Sequence, residues 1–203
     1  MRPMRWMATR YARLRYGKVP EPLTQWAEHG GVFWAWSTEE TMVEATWRSL
    51  PRALSTLAVL KSASTIDCPW CLDFGSHVGE KNGLDAAKVQ DLHRWRESSA
   101  YDDLERDVLD YAEQMSLTPI SVDEGLRERL RSRLGTKGLV ELTAYVALEH
   151  QRSRFNAAMG VMPQGWSRVC ALPTPAASSL HAREAAAVRM DEIGGDNVII
   201  QTG

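Results

Sequence analysis

Leu57-Ala-Val-Leu-Lys-Ser-Ala-Ser-Thr-Ile-Asp-Cys68-Pro-Trp-Cys71-Leu-Asp-Phe-Gly-Ser76, followed by Lys81-Asn-Gly-Leu84, reads as two helices meeting at a corner. Pro51 opens the first, and Leu54, Leu57, Leu60 and Ala63 recur on one side of it at helical spacing over residues 51–66. Pro69 has no N–H to offer, so it belongs in the first turn of the second helix, with Cys68 at the N-cap and Cys71 just inside. Gly83 with Leu84 is the expected stop. Both thiols then lie where unpaired backbone N–H groups and the positive helix end favour a thiolate. A second thiol three residues away can resolve a sulfenic acid or a mixed disulfide. Half of a zinc site is the competing reading. Structural zinc wants four ligands, and no second CxxC or His pair at finger spacing is present, so redox chemistry is preferred and no metal is expected.

Outward from this corner the chain punctuates into further helices. Met4, Met7, Tyr11 and Leu14 form a stripe closed by Gly17; Pro20 and Pro22 open a piece that Gly30-Gly31 closes. Thr38 followed by Glu39 and Glu40 resembles the next N-terminus. Asp85 caps a helix to about Trp95, and Leu104, Val108, Tyr111 and Met115 make an amphipathic face ended by Pro119. Ser121 to Glu124 is a capping box for a Glu- and Arg-rich helix, which Gly135 and Gly138 separate from the longest run, Leu139 to Met159. Nothing reads as a strand. The expectation is an all-α protein of roughly eight helices, one domain over residues 1–172, and a poorly specified tail over 173–203 with one Ala-rich helix around His181–Met190.

Composition agrees with a globular domain: 203 residues, 44% hydrophobic and 25% charged, long enough to bury a core without staples. The net charge of −2 offers no bulk positive field for nucleic acid. The charge is unevenly spread. Residues 1–18 carry six Lys or Arg and no carboxylate, so the rest sets 18 basic against 26 acidic residues, a balance of −8. No apolar run approaches the ~18 residues of a membrane span. A basic first helix of a cytoplasmic protein is preferred over a secretory or transit segment.

On the quoted residues the chain resembles the carboxymuconolactone decarboxylase / alkylhydroperoxidase-like family, in which one helix runs into a CxxC that opens the next. Tyr16-Gly-Lys-Val-Pro-Glu-Pro-Leu23 and Ala147-Leu-Glu-His-Gln-Arg-Ser-Arg-Phe-Asn156 resemble the flanks of one bacterial subgroup, so the likeness spans about residues 15–172. The resemblance implies an all-helical homo-oligomer (dimer, trimer or hexamer) with peroxidase activity, Cys71 attacking and Cys68 completing the disulfide. It departs from the redox-active members at two positions. Their His four residues after the second Cys is Gly75 here, and their Glu twelve residues before the first is Thr56. These groups would form the proton relay, and installing them, Gly75→His with Thr56→Glu, is expected to raise the rate. His77 is no simple substitute, since six residues place it about 120° round the helix from Cys71. Phe74 and Val78 share the Cys71 face instead, and apolar neighbours oppose a thiolate.

Glu149 and His150, amid apolar neighbours on the long helix, are the candidate replacements for the relay. Structural pairs, Glu149 with Arg152 or Ser153 and His150 with Arg154, are the preferred reading of both. Lys61 could add positive potential near the thiols, but a solvated lysine is the plainer account. Six of eight tryptophans (Trp6, Trp26, Trp34, Trp36, Trp47 and Trp70) precede Cys71. They suit an apolar pocket over the thiols, or equally packing in the core or at an interface between subunits. His29 and His93 read as surface histidines and Cys170 as an incidental thiol.

The expected function is therefore a thiol-dependent oxidoreductase of peroxidase type. It uses Cys68 and Cys71, no cofactor, an external dithiol reductant, and a small organic hydroperoxide or other apolar substrate. Two alternatives stay open: a non-enzymatic helical oligomer binding an apolar ligand or partner, and a non-redox decarboxylase or isomerase.

Overall fold

A computed structural model describes residues 2–167. The helices are α1 (Arg2–Tyr16), α2 (Glu21–Trp26), α3 (Gly30–Thr46), α4 (Arg52–Ile66), α5 (Pro69–Lys81), α6 (Ala86–Gln90), α7 (Asp103–Ser116) and α8 (Glu124–Ala158), with a 3-10 turn at Asp91–Arg94 after α6. No strand occurs among the described residues, so the all-α expectation of about eight helices holds. The tail over 173–203, its expected helix at His181–Met190 and Cys170 lie outside the described residues.

α4 is the hub, packing against α5, α7 and α8. Its burial runs beyond the stripe read from the sequence: Ser55, Ala58, Lys61 and Ser62 are buried along with Leu54, Leu57, Leu60 and Ala63. A helix covered nearly all round is a central one. Leu50, Leu54 and Ala58 join Val108, Tyr111 and Ala112 of α7 and Leu126, Leu130, Leu139, Leu142 and Val146 of α8 in one core. Lys61 is not the solvated lysine of the sequence reading. Its Nζ lies 3.3 Å from Glu113 of α7, and burial lowers its pKa against the pull of that carboxylate.

Three boundaries differ from expectation, each for a local reason. α3 begins at Gly30 and runs through Thr38, because His29 caps it: Nδ1 accepts from the Val32 N–H at 3.2 Å. His29 is thus a cap, where the sequence reading had an ordinary surface histidine. The helix after Asp85 tightens into a 3-10 turn at Asp91. Gly135, at φ +70° and ψ 169°, breaks the α8 geometry as a kink, whereas Gly138 stays helical with Ser49 O and Leu134 where a side chain would go.

α1 turns Ala8 and Ala12 inward, with Ala8 packed beside Ala27 and Phe33, and presents Trp6, Met7, Tyr11 and Leu14 outward. Leu14 is 78% exposed in the single chain. α3 lies antiparallel to the C-terminal half of α8. Trp36 meets Phe155 with ring centroids 4.9 Å apart, Glu40 meets Arg152, and Trp47 meets Tyr145 at 4.8 Å. The segment after α8 folds back onto α5, where the buried Asp73 carboxylate accepts backbone N–H groups of Gln164, Trp166 and Ser167 at 2.7–2.9 Å. Among the described residues no helix is long and apolar enough to cross a membrane.

Candidate active site

Asp67 ends α4 in the left-handed conformation at φ 64°, and the Cys68 N–H reaches back to the Ala63 carbonyl at 3.0 Å. This closes one helix and aims the next. Cys68 takes the N-cap of α5 as expected: its Sγ accepts from the Cys71 N–H at 3.3 Å, with Pro69 in the first turn. The two sulfurs are joined as a disulfide across a Cα–Cα distance of 5.3 Å. The sulfurs are closed from solvent, at 2% exposure for Cys68 and 5% for Cys71.

The surroundings of Cys71 overturn the expectation of an apolar face. α8 delivers two polar groups to its sulfur: Ser153 Oγ at 3.4 Å and Asn156 Nδ2 at 3.3 Å. Phe74 points elsewhere, stacking on Trp70 and meeting Tyr16 and Trp166 edge-on. Ser153 Oγ also lies 2.7 Å from Glu149 Oε1. A hydroxyl has one proton to donate, so it serves the carboxylate when Glu149 is ionised and the sulfur when Glu149 holds a proton of its own. Glu149, Ser153 and Cys71 therefore form a line along which a proton can pass.

Glu149 is buried, and burial pushes its pKa up to about 7, against the lowering pull of Arg152 and of the Ser153 hydrogen bond; Glu40 adds to the rise. Arg152 stands between two carboxylates. Its Nε donates to Glu40 Oε1 at 2.7 Å and its Nη2 to Glu40 Oε2, while Nη1 lies 3.6 Å from Glu149 Oε2. The structural pair read from the sequence, Glu149 with Arg152 or Ser153, is thus present in both forms, and it reaches a thiol as well.

His150 is not brought to the thiols. Its Nε2 lies 2.9 Å from Ser116 Oγ of α7, which in turn meets Ser62 Oγ of α4 at 3.0 Å, so Ser116 takes the hydrogen-bonding place expected of Arg154. Burial, then the Arg154 charge, lowers its pKa, which favours the neutral imidazole. Of the two relay candidates, Glu149 sits at the site and His150 belongs to a separate network. His77 turns away as the helical angle requires, its ring packed 5.6 Å from that of Trp166.

At the positions expected to carry the relay, α5 packs closely on α4 through carbon atoms. A Cβ at Gly75 would lie 3.0 Å from Leu60 Cδ2, and one at Gly79 would lie 3.2 Å from Thr56 Cγ2. The tryptophans do not line a single pocket: Trp6 and Trp34 are exposed, Trp26 and Trp36 pair beside Phe155, and Trp70 stacks on Phe74.

Sequence reasoning missed Asn156, the sulfur contact of Ser153, and Asp73. The first two had a signal, since Glu149, Ser153 and Asn156 at i, i+4 and i+7 share one face of the helix, the spacing at which side chains line up. Asp73 had none, because its partners are backbone N–H groups ninety residues away.

A model of the carboxymuconolactone decarboxylase family matches residues 32–114. The chain is similar to protein YnjA of Escherichia coli (strain K12), itself uncharacterized, at 33% identity over 170 residues, covering 83% of this chain and 91% of that protein. Among solved structures it is similar to the apo debrominase Bmp8, with a TM-score of 0.71 at 21% identity, covering 81% of this chain and 88% of that one. It is also similar to a peroxidase-related protein from Silicibacter sp. TM1040, with a TM-score of 0.70 at 19% identity, covering 78% and 84%.

Proposed function

The chain belongs to the carboxymuconolactone decarboxylase family, and we propose that it is a thiol-dependent oxidoreductase that reduces a small organic hydroperoxide at Cys71. The observation carrying this reading is the hydrogen-bonded line from Glu149 through Ser153 to the Cys71 sulfur. In the reduced protein Cys71 passes its proton through Ser153 to Glu149. The thiolate attacks the terminal peroxide oxygen, forming an S–O bond as the O–O bond breaks, and the departing alkoxide takes the stored proton to leave as the alcohol. Cys68 then attacks the Cys71 sulfenic sulfur. The S–S bond forms, and the expelled hydroxide leaves as water with the Cys68 proton. An external dithiol reduces the disulfide and is itself oxidised, which suits work in the cytoplasm, where such donors are kept reduced.

Consumption of cumene hydroperoxide by the full chain with excess dithiothreitol tests the reading. Cys71→Ser should abolish turnover, and reduced Cys68→Ser, freed of the dithiol before the peroxide is added, should stop after one equivalent with a sulfenic acid that a 1,3-dione traps. Wild-type consumption no faster than that of Cys71→Ser overturns it. The closure of both sulfurs from solvent supports the rival, a ligand-binding protein with a redox-sensing pair, and the same assay separates the two.

We also propose a homo-oligomer joined through the outward face of α1, where Trp6, Met7, Tyr11 and Leu14 lie among basic residues. The −8 balance of the remaining chain offers a second copy carboxylates to meet them. Sedimentation of the wild type against Leu14→Glu tests this; a wild type that is monomeric at micromolar concentration sinks it.

A further inference from the structure

We propose that Glu40 of α3, which touches neither cysteine, is a positioning residue that sets the ionisation of Glu149 by competing for the one guanidinium both carboxylates share. The geometry of Arg152 is the ground. Two of its nitrogens, Nε and Nη2, fork onto the two oxygens of Glu40, leaving only Nη1, at 3.6 Å, for Glu149. Bidentate pairing is the stronger mode for a guanidinium, so most of its charge is answered by Glu40.

The two carboxylates also differ in their access to water. The Glu40 side chain is 33% exposed and that of Glu149 only 3%. One cation cannot neutralise two carboxylates. The fork-paired Glu40 takes most of the guanidinium, and the dry Glu149, left with the weaker contact, is the carboxyl on which burial favours the proton. The charged groups facing Glu149 are Arg152 from its own helix and Glu40 from α3; from α5 it meets the Cys71 sulfur through Ser153. The register that puts Glu40 opposite Arg152 is fixed on either side by the Trp36–Phe155 ring contact and by Gln151 donating to Glu39 at 3.3 Å. The N-terminal part of the chain thus reaches the proton relay without contributing an atom to it.

The two sides of this ion pair have opposite signs, which a merely structural pair would not show. Removing the Glu40 charge gives Arg152 wholly to Glu149 and lowers the midpoint of Glu149. Removing the Arg152 charge leaves Glu149 without its counter-ion and raises it.

The experiment follows the Glu149 carboxyl by carbon-13 NMR across pH in the oxidised full chain, with the signal assigned by its loss in Glu149→Gln. Glu40→Gln should move the midpoint down by about one pH unit, tenfold in the protonation equilibrium. Arg152→Gln should move it up by a similar amount, and Glu40→Asp should hold it near the wild-type value. A midpoint that stays put in Glu40→Gln, or that moves the same way in both charge-removing variants, overturns the inference. Should Glu40→Gln fail to fold, Arg152→Gln decides by itself, an unmoved or lowered midpoint being fatal.

The inference rests on the proposed thiol chemistry only for its consequence, that the acid limb of hydroperoxide turnover, where Glu149 must be ionised to take the Cys71 proton, follows the same shifts. Opposite NMR shifts without any turnover would leave the coupling standing and remove the peroxidase reading. Turnover whose acid limb ignores Glu40→Gln would do the reverse.

Discussion

Toward α4, the Cys71 helix presents Gly75 and Gly79 to Leu60 and Thr56, at separations that leave no room for an added carbon without a shift. Toward α8, the same helix presents Cys71 to a serine hydroxyl, an asparagine amide and, behind the hydroxyl, a buried carboxylic acid. One flank of this helix is close-packed carbon against carbon and the other carries a file of polar groups. The positions expected to bear the His and Glu relay fall on the close-packed flank. An acid lies across the site instead, on a helix eighty residues further along. In this chain the thiol pair is tied to its corner by the helix N-terminus, whereas the buried carboxyl behind Ser153 comes from another helix, α8.

Three substitutions probe that contrast directly, and the largest effect belongs to Glu149. Glu149→Gln keeps the shape and most hydrogen bonds but cannot cycle a proton. Turnover with dithiothreitol should fall by ~10²–10⁴-fold, the usual range for general acid–base help, while the disulfide still forms under mild oxidant. A loss under threefold would mean that the polar flank is packing alone.

The same residue leaves a mark on stability. Its folded pKa is raised from 4.5 to about 7, so the folded chain binds the proton more tightly than the unfolded one. The stability this contributes is complete below about pH 4 and is lost as pH rises through 7. Urea unfolding of the oxidised protein should therefore show Glu149→Gln gaining on the wild type between pH 5 and pH 8, by an amount on the order of 3 kcal/mol. A difference that stays flat over that window would deny the carboxyl its raised pKa.

Much of this was legible before the fold was in hand. The Cys68 cap, the Pro69 start and the Gly83-Leu84 stop follow from local chemistry, and local chemistry is what the structure uses there. Glu149 was visible as a carboxylate on an apolar run. Its partner on α5 was not, because sequence shows the spacing within a helix and not which helix faces it. The same limit hid the role of Lys61, whose partner Glu113 lies on another helix, and left His150 with the wrong neighbour. The outward stripe of α1 shows the converse: periodicity found the face and could not say that it points away from the chain's own core.

The close-packed flank yields the next effect. Placing histidine at Gly75, with glutamate at Thr56, should not revive a relay. The new side chain at 75 must displace Leu60, a residue fully buried in α4. Overpacking of this kind costs about 1–3 kcal/mol. The expected result is a lower urea midpoint for Gly75→His and no faster turnover in the double variant. A faster enzyme with unchanged stability would show that α4 can yield and that both flanks are open to proton chemistry.

The smallest effect separates a relay from a direct contact. Ser153→Ala removes the hydroxyl that stands between Glu149 and the sulfur, but it leaves a space of about one oxygen atom in a polar setting. Asn156 would keep its own contact with the sulfur, 3.3 Å away, so Cys71 does not lose all its polar company. A single neutral hydrogen bond is worth about 0.5–1.5 kcal/mol, which puts the loss in turnover at roughly tenfold or less, well short of that for Glu149→Gln. The stronger sign lies in the pH profile. Without the Ser153 hydrogen bond, which favours the ionised carboxylate, the Glu149 midpoint should rise. The acid limb should then move up even as the rate drops, and Ser153→Thr, which restores a hydroxyl, should reverse both. A Ser153→Ala loss equal to that of Glu149→Gln would mean that the hydroxyl itself, and not the acid behind it, is the group the sulfur needs.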